Sequence, residues 1–356
     1  MRTIASGATG SAGIDEVPSV RPAAVGTVGS RHAVVEFRLL ARENDSSPFG
    51  ACKPDSFASN VIGLTRRIPD RWLYRRLAFA LRRLVTFRLA GRPLDVESMG
   101  ARFRLYPFNN VCEKRILFTP QYFDAVERAA LAAFADALAG EGREVTFVDV
   151  GANIGGYSLF LAAHTAGRAR LLAIEPQPVV FERLCFNISA NPGCGVKALS
   201  VAVADRDGPL TLFLAPRNKG ESSIKMVGFA PGEGSSVTVP AETLERILDS
   251  EGIDRVDAMK IDVEGAEDLV LVPFFQSTAP ARWPAQLILA NTPHLWHSDL
   301  HALLTGHGYR LCGQSRRKRL YQRLGPDEAA APARAAEEVA PVARLGLAVA
   351  RSSLTP

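Results

Sequence analysis

Apolar residues recur along this chain in two rhythms. In "PDRWLYRRLAFALRRLVTFRLAG" (69–91), Leu73, Leu77, Ala80, Leu81 and Leu84 return at helical spacing, with Asp70 as the N-cap and Gly91 as the stop. Residues 93–106 alternate as strands do, and 121–138 are again helical. From 144 onward the rhythm switches back and forth. "EVTFVDV" predicts a strand, 154–166 a helix, "ARLLAIE" a strand, 178–190 a helix and "VKALSVAVA" a strand. An irregular stretch follows, then helix 243–250, strand "VDAMKID", a helix near 265–275, strand "AQLILAN", helix 297–306 and two last strands, "GYRLCG" and "KRLYQRL". Such alternation predicts an α/β fold: a mostly parallel sheet with helices on both faces.

The flanks read differently. Residues 1–62 carry little periodicity and are expected to be a disordered N-terminal segment; 63–140 form a helical and strand extension, 141–326 the main α/β domain, and 327–356 an Ala-rich tail broken by Pro. The five cysteines are scattered with no C-x-x-C pair, which predicts free thiols in a reducing compartment. The N-terminus lacks an apolar h-region and no run of about 18 apolar residues occurs, so the expected location is the cytoplasm. The net charge of +5 is a weak hint of an anionic partner.

The candidate chemistry sits where strands meet loops. "FVDVGANIGG" (147–156) ends a strand with Asp149 and enters a turn of Gly151, Asn153 and Gly155. Ligands of parallel α/β sheets bind beyond the strands' C-terminal ends, and glycines admit close backbone approach. The dinucleotide fingerprint fails because Asn153 stands at its second glycine, and no G-K-[ST] makes a P-loop. An acid at the strand end suits a cationic ligand rather than a phosphate. S-adenosylmethionine, with an ammonium and a sulfonium, fits. Glu175 ends the second strand and is placed to accept hydrogen bonds from ribose hydroxyls; Asp205, in "AVADRDG", is the candidate partner of the adenine amine. Ordinary helix caps and turns are the plainer account of such acids, strongest for Asp205.

The chain resembles the FkbM-type family of S-adenosylmethionine-dependent methyltransferases in "FVDVGANIGGYSLFLA" (147–162), "AIEPQPVVFERLCFNI" (173–188), "AVADRDG" (202–208), "NKGESSI" (218–224) and "MKIDVEGAE" (259–267). The resemblance implies a seven-stranded class I methyltransferase (Rossmann-like) sheet whose last strand is antiparallel. It also implies methyl transfer, usually to a hydroxyl on a sugar, glycan or natural-product small molecule. The family commonly ends strand 5 in an acid; this chain has Ala290 and Asn291 there, followed by His294.

Methyl transfer to a hydroxyl needs positioning and a base. Lys260, Asp262 and Glu264 in "KIDVEG" share one face if the strand persists, and Asp262 is the first candidate for base or substrate orienter. Glu264 is second, Lys260 a modulator of their pKa values, and His294 the rival base. His297 and His301 have i, i+4 spacing, but nothing completes a metal site, so none is expected. The leucine stripe of 69–90 is expected to pack on the catalytic domain beneath a solvated arginine face. Weak membrane-surface contact, or a nucleic-acid-binding methyltransferase docking through this helix, are the alternatives. A stable nucleic-acid partner is not expected, because the nucleobase-type [DNS]-P-P-[YFW] turn is missing.

Overall fold

The computed structural model describes residues 44–69, 72–215, 222–223 and 235–324. The Asp70 cap, the tail 327–356, residues 1–43 of the N-terminal segment and most of "NKGESSI" lie outside the described residues. The chain starts with helices α1 (Ser56–Arg67) and α2 (Trp72–Leu89) and a hairpin of β1 (Leu94–Ser98) and β2 (Ala101–Leu105). Helices α3 (Val111–Phe118) and α4 (Ala125–Gly140) follow. The main sheet then builds from β3 (Val145–Val150), α5 (Gly156–His164), β4 (Ala169–Ile174), α6 (Pro178–Ser189) and β5 (Val196–Leu199). A second, small sheet holds β6 (Ala202–Val203), β7 (Gly208–Leu214), β8 (Ser222–Ser223) and β9 (Ser235–Glu242). Helix α7 (Leu244–Ser250), β10 (Ala258–Ile261), α8 (Glu267–Ser277), β11 (Gln286–Ala290), α9 (Leu300–Gly306), β12 (Tyr309–Gln314) and β13 (Lys318–Arg323) complete it.

The seven-stranded sheet has the order β12-β13-β11-β10-β3-β4-β5. Its strands run parallel except β13, which is antiparallel to both β11 and β12. That is the expected class I methyltransferase arrangement. Both faces are buried, and the two-residue period of each strand sorts its side chains between two cores. Phe147, Leu171, Ala258 and Ile288 face the core shared with α1 to α5 and the hairpin. Val148, Leu172, Met259 and Leu287 face the core under α7, α8 and α9.

Several elements differ from the sequence expectation. "VKALSVAVA" is not one strand: β5 stops at Leu199, and Ala202–Val203 joins β9 in the small sheet. The irregular stretch after it contains the β7–β9 antiparallel pair. Helix α1, capped by Asp55 accepting from the Ala58 backbone at 2.7 Å, falls partly inside the segment expected to be disordered. Residues 44–48 are also tied in, by the buried Arg104. Its guanidinium pairs with Asp95 (Nε–Oδ1 2.7 Å) and donates to the Ser47 and Pro48 carbonyls. The polar hinge of this segment is satisfied by residues far along the chain, which local periodicity does not register.

The leucine stripe of α2 is split. Among its described side chains Ala78, Val85 and Leu89 are buried, whereas Leu77 and Leu84 are each 48% exposed. The helix packs through Ala78, Val85, Leu89 and the partly buried Leu81, and the Leu77, Ala80 and Leu84 part of the stripe faces outward.

Candidate active site

Strand register builds the centre of the site. Parallel pairing of β3 and β10 sets Lys260 beside Asp149, both on the face toward the N-terminal extension. Lys260 Nζ lies 3.1 Å from Asp149 Oδ1 and donates to the Gly151 carbonyl at 2.5 Å. Ser158 Oγ, one turn into α5, donates to Asp149 Oδ2 at 2.7 Å. Asp149 is fully buried; its Oδ1 meets the lysine as an ion pair without a well-directed hydrogen bond. Burial works against the Lys260 ammonium, yet the Asp149 and Asp262 charges outweigh it and hold its pKa above the usual lysine value. Lys260 is therefore a fixed cation that pins the glycine turn.

The turn itself is shaped by neighbours as much as by any ligand. Gly151 has φ 73°, and a Cβ there would sit 2.1 Å from the Asp262 carbonyl oxygen of the adjacent loop. At Gly155 (φ 90°) a Cβ would meet Leu184 Cδ1 at 2.9 Å. Asn153, at φ 52°, accepts through Oδ1 from the Ile154 backbone (2.9 Å) and from Asn110 Nδ2 (3.0 Å). Asparagine tolerates this left-handed conformation, which is why it replaces glycine there.

Next to the turn is a cavity of about 270 Å³. One wall holds Gly151, Asn153 and Glu175, with Ile174, Pro176, Val201, Val203 and Leu212 as an apolar surface. The Glu175 carboxylate accepts from the Asn153 backbone (Oε2, 2.9 Å) and the Gln177 backbone (Oε1, 2.9 Å). Burial dominates those bonds and raises its pKa to about 7. Each oxygen keeps a second lone pair, so Glu175 can still accept from a ligand hydroxyl.

A second part of the lining comes from chain that short-range patterns leave silent. Asn110 caps α3 by accepting from the Glu113 backbone at 3.3 Å, and it lines the cavity with Arg115, Phe123 and Asp124. Arg115 Nη2 pairs with Asp124 Oδ1 at 2.7 Å, and the Tyr157 hydroxyl donates to Asp124 Oδ2 at 3.2 Å. Burial, then the Asp124 charge, holds the Tyr157 phenol well above its ordinary pKa, so it stays a donor. This wall is fastened to α6 by the buried pair Arg183–Glu113 (2.6 Å), with Arg183 stacked over Tyr106 at 3.9 Å from the ring centroid. The extension is thus part of the site.

At the far edge β10 stops at Ile261, and Glu264 takes a left-handed φ of 52°, so the strand does not persist through "KIDVEG". Lys260, Asp262 and Glu264 nevertheless all line the cavity. Asp262 Oδ2 pairs with Lys318 Nζ at 2.5 Å and lies 3.9 Å from Lys260 Nζ. Burial opposes ionisation of Asp262, but Lys318 and Lys260 overcome it and lower the pKa to about 2. Lys318 stands opposite Ala290 in the β11–β13 register. The small alanine leaves room for the lysine where the family often has an acid. Asn291 is consumed structurally, accepting from Arg319 Nε (2.9 Å) and donating to the Ser315 carbonyl (3.1 Å).

Four sequence candidates fall outside the cavity lining. Asp205 is exposed in the turn before β7, because β5 ends six residues earlier. His294 is exposed on a short 3-10 turn, Pro293–Leu295. Asp149 and its helper Gly155 act from behind the turn rather than on its surface. His297 pairs with Asp268 (3.4 Å) and His301 contacts the Tyr321 hydroxyl (3.1 Å), so the two histidines have separate partners. Arg115, Asp124, Tyr157 and Lys318 were not found from sequence.

Residues 149–311 match the model of the methyltransferase FkbM domain. The chain is 35% identical over 152 residues to a protein named methyltransferase sdnD of Sordaria araneosa, covering 35% of this chain and 58% of that protein. It is 28% identical over 140 residues to methyltransferase 1 of Beauveria bassiana, covering 35% and 56% respectively. The chain thus spans a little over half the length of these curated relatives. Among solved structures, the SAM dependent methyltransferase from Agrobacterium tumefaciens is similar at 10% identity and TM-score 0.36, over 66% of this chain and 71% of that one. Over residues 149–311 the quoted stretches and the model of the methyltransferase FkbM domain coincide.

Proposed function

We infer that this protein is an S-adenosylmethionine-dependent methyltransferase acting on a hydroxyl of a sugar, glycan or natural-product small molecule. The observation that carries the reading is the Glu175 wall: a buried carboxylate with lone pairs to spare, beside the Gly151–Asn153 turn and an apolar surface of Val201, Val203 and Leu212. Those residues fit a nucleoside carrying positive charge. Glu175 would accept from ribose hydroxyls, the apolar wall would cover adenine, and the Glu175 carboxylate, when ionised, would favour the cation. When bound, S-adenosylmethionine supplies an already activated methyl group.

The chain's own contribution on the acceptor side is positioning with late proton removal. Asp262, held ionised by Lys318 and Lys260, is too weak a base to deprotonate a free alcohol. It accepts a hydrogen bond from the hydroxyl and aims the oxygen. As the oxygen begins to bond carbon, its proton becomes far more acidic, and a weak carboxylate then suffices. His294, exposed and away from the cavity, has no part in this proposal.

The test is calorimetry with S-adenosylhomocysteine, followed by incubation with methyl-labelled S-adenosylmethionine and a panel of sugars and hydroxylated small molecules. The expected result is binding, and label recovered as a base-stable methyl ether. Absence of S-adenosylhomocysteine binding overturns the cofactor assignment; label on nitrogen or carboxyl oxygen overturns the acceptor assignment.

A further inference from the structure

The outward-facing part of the α2 stripe is a feature the site does not use. Leu77, Leu84 and Phe87 are 48%, 48% and 83% exposed, and Ala80 between them is also exposed. Their spacing of three, four and three residues puts them on one face. That face continues onto α1: Arg88 lies 5.2 Å over the Phe57 ring, and Leu64, two turns along from Phe57, is 49% exposed. Soluble surfaces scatter single apolar residues; a contiguous stripe with aromatic residues marks a docking surface.

Charge identifies the occupant. Residues 56–89 contain eight arginines and one acid, Asp70, for a net +7. The whole chain carries +5, so everything outside these helices sums to −2. Arg76 and Arg83, both exposed, border the stripe on one side and Arg88 on the other. An apolar seam flanked by arginines on a helix lying across the surface matches the boundary between acyl chains and anionic headgroups. A nucleic acid needs the charge but not Leu77, Leu84 and Phe87; a second copy of the chain would bring the same positive charge and repel it. No helix among the described residues is long and apolar enough to cross a membrane, so the contact is peripheral.

We propose that α1 and α2 form a docking face for an anionic phospholipid surface, with Leu77, Leu84 and Phe87 entering the headgroup boundary and the arginines meeting phosphate and carboxylate groups. The helices are joined to the cavity wall: Tyr122 Oη donates to the Ile68 carbonyl at 2.6 Å and Gln121 Nε2 to the Thr65 carbonyl at 3.1 Å. Docking therefore holds the wall that carries Arg115 and Asp124 against the membrane-bound pair. The proposal stands independently of the methyl-transfer reading.

The experiment is vesicle co-sedimentation of the full chain with phosphatidylcholine alone and with added phosphatidylserine, at low and high salt. The expected result is binding that requires phosphatidylserine and weakens with salt. The double variant Leu84→Asp/Phe87→Asp should bind at least about tenfold less, since two apolar anchors are replaced by charges of the wrong sign. Its thermal unfolding should stay within the wild-type range, because both positions face outward. Three results overturn the proposal: no binding to phosphatidylserine vesicles, binding that the double variant leaves intact, or a wild-type dimer that the variant splits while vesicles remain unbound. Salt-sensitive retention of RNA without vesicle binding also overturns it and returns the face to nucleic acid.

Discussion

The two walls of the cavity differ in how they are made. The wall at the ends of β3 and β4 is local: Gly151, Asn153 and Glu175 lie within 25 residues of one another and are braced by backbone hydrogen bonds to Glu175. The second wall, proposed above to meet the acceptor, is assembled from distant pieces, with Asn110 and Arg115 from the extension, Asp262 from β10's end and Lys318 from the last strand. Lys260 joins the two, touching Asp149, Gly151 and Asp262. The local wall suits a ligand shared by many enzymes, whereas the assembled wall can change with each element that feeds it.

Breaking the joint should have the largest effect. Lys260→Met leaves Asp149 buried without its cation and the Gly151 carbonyl without its donor. Removing one partner of a buried pair costs about 3–5 kcal/mol. Chemical denaturation is expected to show a loss of this size, with much of it recovered in Lys260→Met/Asp149→Leu, where neither charge remains. If the single variant unfolds like wild type, the two walls are not joined through this lysine.

Legibility in the sequence followed the same division. The strand–helix alternation from 144 is a local period, and β3, β4, β10 and β11 were readable from it. The same alternation set Gly151, Asn153 and Glu175 at strand ends, and they line the cavity. Asp205 was misplaced because "VKALSVAVA" is continuously apolar while its backbone changes sheets after Leu199. Hydrophobicity does not encode which sheet a strand joins. Tyr157 and Lys318 depend on packing between elements far apart in the chain, and the Arg115–Asp124 pair, nine residues apart, spans a turn between two helices that no period marks. On α2 the periodicity was correct but its direction only in part: Leu81 packs inward while Leu77 and Leu84 do not, because a stripe states that one face is apolar and not what covers it.

The next test separates the walls by function. Asp262→Asn keeps the shape of the loop but loses the carboxylate that would orient the acceptor. Turnover is expected to fall by about 10²-fold, the low end of general-base contributions, because a carboxylate with a pKa of about 2 acts mainly by orientation. The dissociation constant for S-adenosylhomocysteine should stay within a few-fold of wild type. His294→Ala should leave turnover unchanged. Loss of cofactor affinity in Asp262→Asn, with turnover of bound enzyme intact, would assign Asp262 to the cofactor wall.

The smallest effect concerns acid on the cofactor wall. Glu175 has a model-peptide pKa of 4.5 and a folded value raised to about 7 by burial. A carboxyl whose folded pKa is raised favours the folded state most below 4.5, where both states are protonated. That advantage is lost as pH rises toward about 7, because the unfolded chain ionises first. Wild type should therefore lose stability over this window relative to Glu175→Gln, which cannot ionise. Binding should run the opposite way. A cationic cofactor prefers ionised Glu175, so affinity for S-adenosylmethionine should rise with pH through about 7, and binding below that pH should release a proton. Glu175→Gln keeps an acceptor oxygen for the turn. It should bind S-adenosylmethionine more weakly than wild type by about 0.5–1.5 kcal/mol, the worth of one hydrogen bond, and without that pH dependence. Calorimetry in buffers of different ionisation enthalpy reads the proton directly. A variant that keeps the wild-type pH dependence would move the titrating group away from Glu175 and leave the cofactor wall without its acid.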